Sequence, residues 1–189
     1  MDPDLPLIEA LRSGGDLALN ELMLRHREPL FYFAFRYLRD ESAARDAVQE
    51  TFVRAYFNAR TFKPQSSVKT WLYTITANLC RNRLRKLSRH RHDISLDDPN
   101  AGSAGALAQR DDGANPAEHS AQSDEFRRLQ QAIDLLPHHL KLSLVLCVLE
   151  EKSHKEAAEI IGTTPKTVEL RIYHAKAKLR GLLQGYPRR

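Results

Sequence analysis

Cysteine is scarce in this sequence of 189 residues: Cys80 and Cys147 are the only two. That is too few for a disulfide framework, and neither sits in the CxxC spacing of a zinc site. Cys80, His90 and His92 match no usual ligand spacing either, so no metal is expected. No stretch approaches the ~20 consecutive apolar residues of a spanning helix, which predicts no membrane insertion. The opening Met1-Asp2-Pro3-Asp4 is acidic where a secretory leader is basic, and no apolar segment follows. The expected location is therefore the cytoplasm. GxSxG, HExxH and Walker motifs are missing, as is any glycine-rich loop after a strand, so neither catalytic residues nor a cofactor are expected.

Charge is present, and unevenly placed. Against a net +5 for the whole chain, residues 81–92 carry six Arg/Lys and no acid. Residues 93–124 hold seven Asp/Glu against Arg110 alone, and 164–189 hold seven Lys/Arg against Glu169 alone. Two basic blocks thus flank an acidic spacer rich in Ala, Gly, Ser, Asn and Pro, with no aromatic residue. Such a composition buries too little apolar surface to offset its ordering entropy, which predicts a flexible tether. The expected organisation is a domain at 1–92, a linker at 93–124 and a second domain at 125–189.

Apolar residues recur at helical spacing throughout, and nothing alternates with period two, so the expected fold is all-α. A short helix around Leu7, Ile8 and Leu11 ends at Gly14-Gly15. Asp16 is placed to cap a second, which Pro29 should kink or split. A third covers about 41–59, and 60–65 reads as a loop. Ser66 or Ser67 is placed to cap a fourth, which runs on into the basic block. In the second half a helix stops near Pro137 and another covers roughly 138–149. Ser153-His154-Lys155-Glu156 fits a capping box, in which serine and glutamate satisfy each other's orphan amides. Gly162 and Thr164-Pro165 then supply a helix stop and a fresh start.

Short helix, glycine turn and second helix make a helix-turn-helix pattern, whose second helix suits the major groove. The side chains of that helix are Thr164, Lys166, Thr167, Glu169, Leu170 and Arg171, then Tyr173, His174, Lys176 and Lys178. Arginine pairs with guanine and glutamate accepts from cytosine, while lysines suit phosphate. A solvated basic helix in an ordinary bundle is the blander alternative. Arg81, Arg83, Arg85, Lys86, Arg89 and Arg91 continue from Trp71, Tyr73 and Asn78 and follow the polar loop 58–67. Aromatics beside cations suit unstacked single-stranded bases, although Trp71 fits core packing equally well.

Two sets of residues resemble the extracytoplasmic-function sigma factors, small bacterial transcription initiation factors. The first is Asp46-Ala47-Val48-Gln49-Glu50-Thr51-Phe52-Val53-Arg54-Ala55-Tyr56 with Trp71-Leu72-Tyr73-Thr74-Ile75-Thr76-Ala77-Asn78 and the following arginines. The second is Leu135-Leu136-Pro137, Glu156-Ala157-Ala158-Glu159-Ile160-Ile161-Gly162, Thr167-Val168 and Ala175-Lys176-Ala177-Lys178-Leu179-Arg180. The resemblance implies core RNA polymerase as partner, at its β′ clamp and β flap. The clamp would be met by the helix bearing Asp46, Gln49 and Glu50. It further implies melting of the promoter minus-10 element, with an extruded base taken in the 58–67 loop. Asn58, Arg60, Phe62, Lys63, Ser66, Trp71, Asn78, Arg81 and Arg85 are the candidates there. Minus-35 reading would fall to Thr164, Lys166, Thr167, Glu169, Arg171, Tyr173, His174 and Lys176. An anti-sigma factor is a further implied partner. His174 stands where arginine is usual and Asn82 where aspartate is, which bears on promoter identity rather than on class. The alternative is a stand-alone helix-turn-helix repressor or activator. Such a protein usually dimerises on a palindrome, and it would leave the N-terminal domain without a role. A helical adaptor that binds only protein is a third reading.

Overall fold

The computed structural model describes residues 2–97 and 121–184. Among them are eight α-helices and no strand. The first half comprises α1 (Leu5–Arg12), α2 (Asp16–Leu38), α3 (Glu41–Asn58), a 3₁₀ turn (Ala59–Thr61) and α4 (Val68–Asp97). In the second half, α5 (Ala121–Asp134) is followed by α6 (His138–Leu144), a π-helical turn (Val145–Leu149), α7 (His154–Ile161) and α8 (Pro165–Gln184). Helix enters the acidic spacer from both sides, since α4 continues to Asp97 and α5 begins at Ala121. The tether expected between them lies otherwise outside the described residues.

Local chemistry explains most of the helix ends, with two departures. Gly15, not Asp16, is the N-cap of α2. The chain reaches it through Gly14, whose φ of +84° favours glycine. Pro29 does not split α2, which runs through it as one helix. A proline inside a helix removes one backbone bond, and here the burial on either side outweighs that loss: Leu22, Leu30, Phe33, Ala34 and Tyr37 are all buried. Asp40 caps α3, its carboxylate accepting from the Ala43 amide at 2.8 Å. Ser67 rather than Ser66 caps α4, accepting from the Thr70 amide at 3.1 Å.

The N-terminal core is formed where α2, α3 and α4 meet. Ala44, Ala47, Val48, Phe52 and Ala55 of α3 face Val68, Leu72, Ala77 and Cys80 of α4. Each large apolar side chain buried there contributes about 1.5–3 kcal/mol of transfer free energy. Burial also pushes the Tyr37 phenol and the Cys80 thiol up to about 12.

The two halves touch. Leu142, Val145, Leu146, Ala157, Ala158 and Ile160 join the N-terminal core, with α7 lying against α4. Glu150 is the polar centre of this contact. Arg36 Nη1 donates to its Oε1 at 2.6 Å, and the Tyr73 hydroxyl donates to its Oε2 at 3.2 Å. The Lys152 ammonium lies 4.6 Å from the centre of the Tyr73 ring. At the far end, Arg39 donates to Gln130 at 2.6 Å.

Candidate nucleic-acid interface

Three surfaces carry the residues singled out in the sequence. The first is the outer face of α3. Because Ala43, Ala44, Ala47, Val48, Thr51, Phe52 and Ala55 point inward, Asp46 and Gln49 point out and Glu50 sits half-buried beside them. Asp46 accepts from Arg83 of α4 at 2.9 Å, and Glu50 from Arg54 at 2.8 Å. Gln49 turns instead toward a groove of about 1080 Å³ between α2 and α3. Met23, Phe31, Val53, Tyr56 and Phe57 line it, and the Phe57 side chain is 74% exposed. Those apolar residues were not among the candidates. For Val53, Tyr56 and Phe57 the signal was available as apolar positions lying off the buried stripe of α3.

The second surface is the turn between α3 and α4. Phe62 is 6% exposed and lies against Trp71 with ring centres 4.8 Å apart. The loop therefore has an aromatic floor. Phe62 belongs to that floor and offers no free ring to a base, while Trp71 is half-buried beside it. On the same turn Asn58, Arg60 and Lys63 are exposed, and Ser66 is half-buried. The Asn58 amide donates to the Arg54 carbonyl at 2.8 Å, which aims the side chain back along α3. Further along α4, Asn78 and Arg85 are exposed, and Arg81 donates to the Asn78 side chain at 2.5 Å. Two contacts to this loop come from far away in sequence. Arg12 of α1 donates through Nε to the Ala59 carbonyl at 2.9 Å and through Nη2 to that of Phe62. The Asp2 carboxylate accepts from the Val68 amide at 2.6 Å.

The third surface is α7–α8. The capping box forms as expected: the Ser153 amide donates to Glu156 at 2.9 Å, and the Glu156 amide donates to Ser153 Oγ at 3.2 Å. The Ser153 hydroxyl and amide hold the Glu156 carboxyl below its ordinary range. Gly162 ends α7 with φ +75°. Thr164 accepts from the Thr167 amide at 3.2 Å and starts α8. Val168, Ile172 and Ala175 bury one face of that helix, so Thr164, Lys166, Glu169, Tyr173, His174 and Lys176 are exposed on the other. Thr167 and Arg171 are half-buried at its edge. Among the described residues no ion pair ties up Lys166, Arg171 or Lys176. Among the same residues no cluster of His, Cys, Asp and Glu is arranged to hold a metal, and no helix is long and apolar enough to cross a membrane.

Known proteins match this arrangement in both halves and in the same order. Residues 22–90 match the family Sigma-70 region 2, and residues 126–179 match Sigma-70, region 4. The chain is 30% identical over 190 residues to the ECF RNA polymerase sigma-E factor of Escherichia coli, covering 98% of this chain and 97% of the relative. It is 29% identical over 180 residues to the ECF RNA polymerase sigma factor SigW of Bacillus subtilis, covering 94% and 95%. Among solved structures, CnrH in complex with the cytosolic domain of CnrY is similar over 98% of this chain and 100% of that one, with TM-score 0.69 and 26% identity. The sigma factor RpoE from Bartonella quintana, in complex with the anti-sigma factor NepR, shares the fold over 89% of this chain and 98% of its own, with TM-score 0.58 and 22% identity. With two region matches in order and a relative at 30% identity along nearly its whole length, the chain belongs to the ECF RNA polymerase sigma factors.

Proposed function

We propose that this sigma factor works as a promoter-specificity subunit with no chemistry of its own, in the cytoplasm where RNA polymerase acts. The observation that carries this reading is the pairing, in one chain, of a basic helix free of ion pairs at Lys166, Arg171 and Lys176 with a polar loop that packs Phe62 on Trp71 beside a second basic helix. A duplex reader needs the first and a single-strand reader needs the second. Helix α8 reads the minus-35 element through Lys166, Glu169 and Arg171, with Thr164, Thr167, Tyr173, His174 and Lys176 around them. Asn58, Arg60, Lys63 and Ser66 take an extruded minus-10 base beside the Phe62–Trp71 pair. Asn78, Arg81 and Arg85 hold backbone phosphates. Extruding a base costs a few kcal/mol, which a shaped pocket and a cationic cradle can offset.

The outer face of α3 is the polymerase contact. Asp46, Gln49 and Glu50 supply polar specificity there, and the apolar groove holding Val53 and Phe57 supplies buried area. The same groove suits an anti-sigma factor, which would then compete with polymerase for it. RpoE from Bartonella quintana, which shares this fold, was crystallised with such a partner.

Run-off transcription on fragmented bacterial DNA, using core polymerase with and without this chain, tests the reading. New starts sharing two upstream elements are expected. Specific duplex binding by the chain alone, without new starts, would instead indicate a stand-alone repressor.

A further inference from the structure

The 58–67 loop is short of internal support. Beyond the Phe62 amide, shared between the Asn58 and Ala59 carbonyls, its own hydrogen bonds are the Thr61 hydroxyl to the Asn58 carbonyl at 3.0 Å and the Gln65 amide to the Lys63 carbonyl at 2.7 Å. The Ala59 and Phe62 carbonyls and the first amide of the helix that follows are also met by side chains 47 to 66 positions away. Arg12 is the last residue of α1, and its guanidinium takes both the Ala59 and the Phe62 carbonyls. A rigid planar fork with several donors fixes two acceptors in relation to each other, which a single-point donor cannot do. Asp2 adds a carboxylate at the N-terminus of α4, where orphan amides and the helix dipole favour negative charge.

The segment that presents these groups is itself anchored. Asp4 is 4% exposed, accepts from Arg25 at 2.9 Å and lies 2.7 Å from the His26 ring. Ile8 and Leu11 are buried in the N-terminal core. Asp2 and Arg12 therefore brace the loop at both ends from one fixed element. Neither residue belongs to any of the three reading or docking surfaces described above.

We propose that Arg12 and Asp2 are positioning residues for minus-10 reading, clamping the Ala59 and Phe62 carbonyls and the start of α4 so that the exposed Asn58, Arg60 and Lys63 are held in one geometry beside the Phe62–Trp71 pair. The inference rests on the loop being the single-strand reader. A loop that must select one base needs its polar groups fixed before the base arrives, because ordering them on binding weakens right and wrong bases alike. Loss of the brace lowers the preference for the right base more than it lowers binding overall. A purely structural role would lower stability and leave that preference intact.

The experiment uses holoenzyme assembled from core polymerase and the full chain. It is offered a short single-stranded DNA randomised in sequence, and the bound fraction is sequenced. Wild type is expected to enrich one base at one position. Arg12→Ala and Asp2→Asn each reduce that enrichment, Arg12→Ala by about tenfold, the equivalent of one charge-assisted hydrogen bond. Affinity for core polymerase stays within about twofold, and exchange of the 58–68 amides speeds up. If Arg12→Ala does not fold, Arg12→Lys carries the test. It keeps the charge and the aliphatic stem but reaches one carbonyl, so its enrichment falls between wild type and background. Unchanged enrichment in Asp2→Asn and in the foldable Arg12 variant overturns the proposal. Enrichment that also survives Asn58→Ala and Lys63→Ala shows that the loop is not the reader, and the brace proposal then falls with that reading.

Discussion

The two elements proposed to read DNA are assembled in opposite ways. In α7–α8 the groups that cap the helices and set the turn lie within a few residues of those they act on: Ser153 with Glu156, Gly162 at the turn, Thr164 with Thr167. In the 58–67 loop the decisive contacts come from Asp2 and Arg12, and from Trp71 beneath. A duplex reader presents a rigid helix to a preformed groove, so local caps suffice. A single-strand reader must shape a pocket from irregular backbone, and that needs partners from outside. Each element should therefore fail in its own way when altered.

The largest effect is expected at the floor of the loop. Phe62→Ala leaves a cavity against Trp71 and should cost about 3–5 kcal/mol, read as a lower denaturation midpoint with promoter opening lost as well. Replacing Asp46 and Glu50 together by Lys should abolish polymerase binding in a co-elution assay while circular dichroism stays helical; retained binding would remove them from the docking face. Arg171→Ala should weaken minus-35 binding by about 1–3 kcal/mol and relax one base position, with no loss of melting midpoint. A melting loss as large as that of Phe62→Ala would falsify the distinction between the two elements.

Ser153→Ala should cost about 1 kcal/mol and be felt in α7–α8 alone. Its pH dependence has a definite sign. Glu156 is depressed in the fold, so its contribution is present above the unfolded carboxyl value of about 4.3 and fades as pH falls through the lower folded value. Wild type should lose that increment on acidification, and Ser153→Ala, which keeps only the backbone amide donor, should lose a smaller one. Smallest in energy, though easily measured, is thiol reactivity. Cys80, buried and raised to about 12, should resist alkylation in the native state, whereas half-buried Cys147 should react first; the reverse order in a mass-spectrometric time course would contradict the N-terminal core.

Legibility followed the same division. The capping box, the glycine turn and the exposed face of α8 follow from residues close in sequence, because caps and periodicity are local physics. The register of α3 was legible too, which put Asp46, Gln49 and Glu50 on its exposed or half-buried side. Three features were not. The resemblance puts Phe62 among the base-contacting candidates, yet it lies buried against Trp71, a contact from loop to helix that no local pattern encodes. Asp16 reads as a cap, but the Gly14-Gly15 turn places Gly15 there. The apolar lining at Val53, Tyr56 and Phe57 becomes a groove only when α2 stands beside α3.

Composition and periodicity by themselves determined an all-α chain with two basic blocks, because helix caps, apolar stripes and charge blocks act over a few residues. Tertiary structure alone decided that Asp2 and Arg12 brace a loop 47 to 66 positions away, and that Glu150 joins the halves through Arg36 and Tyr73. Such contacts depend on how whole helices cross, and no spacing along the chain encodes where a guanidinium will find its carbonyl.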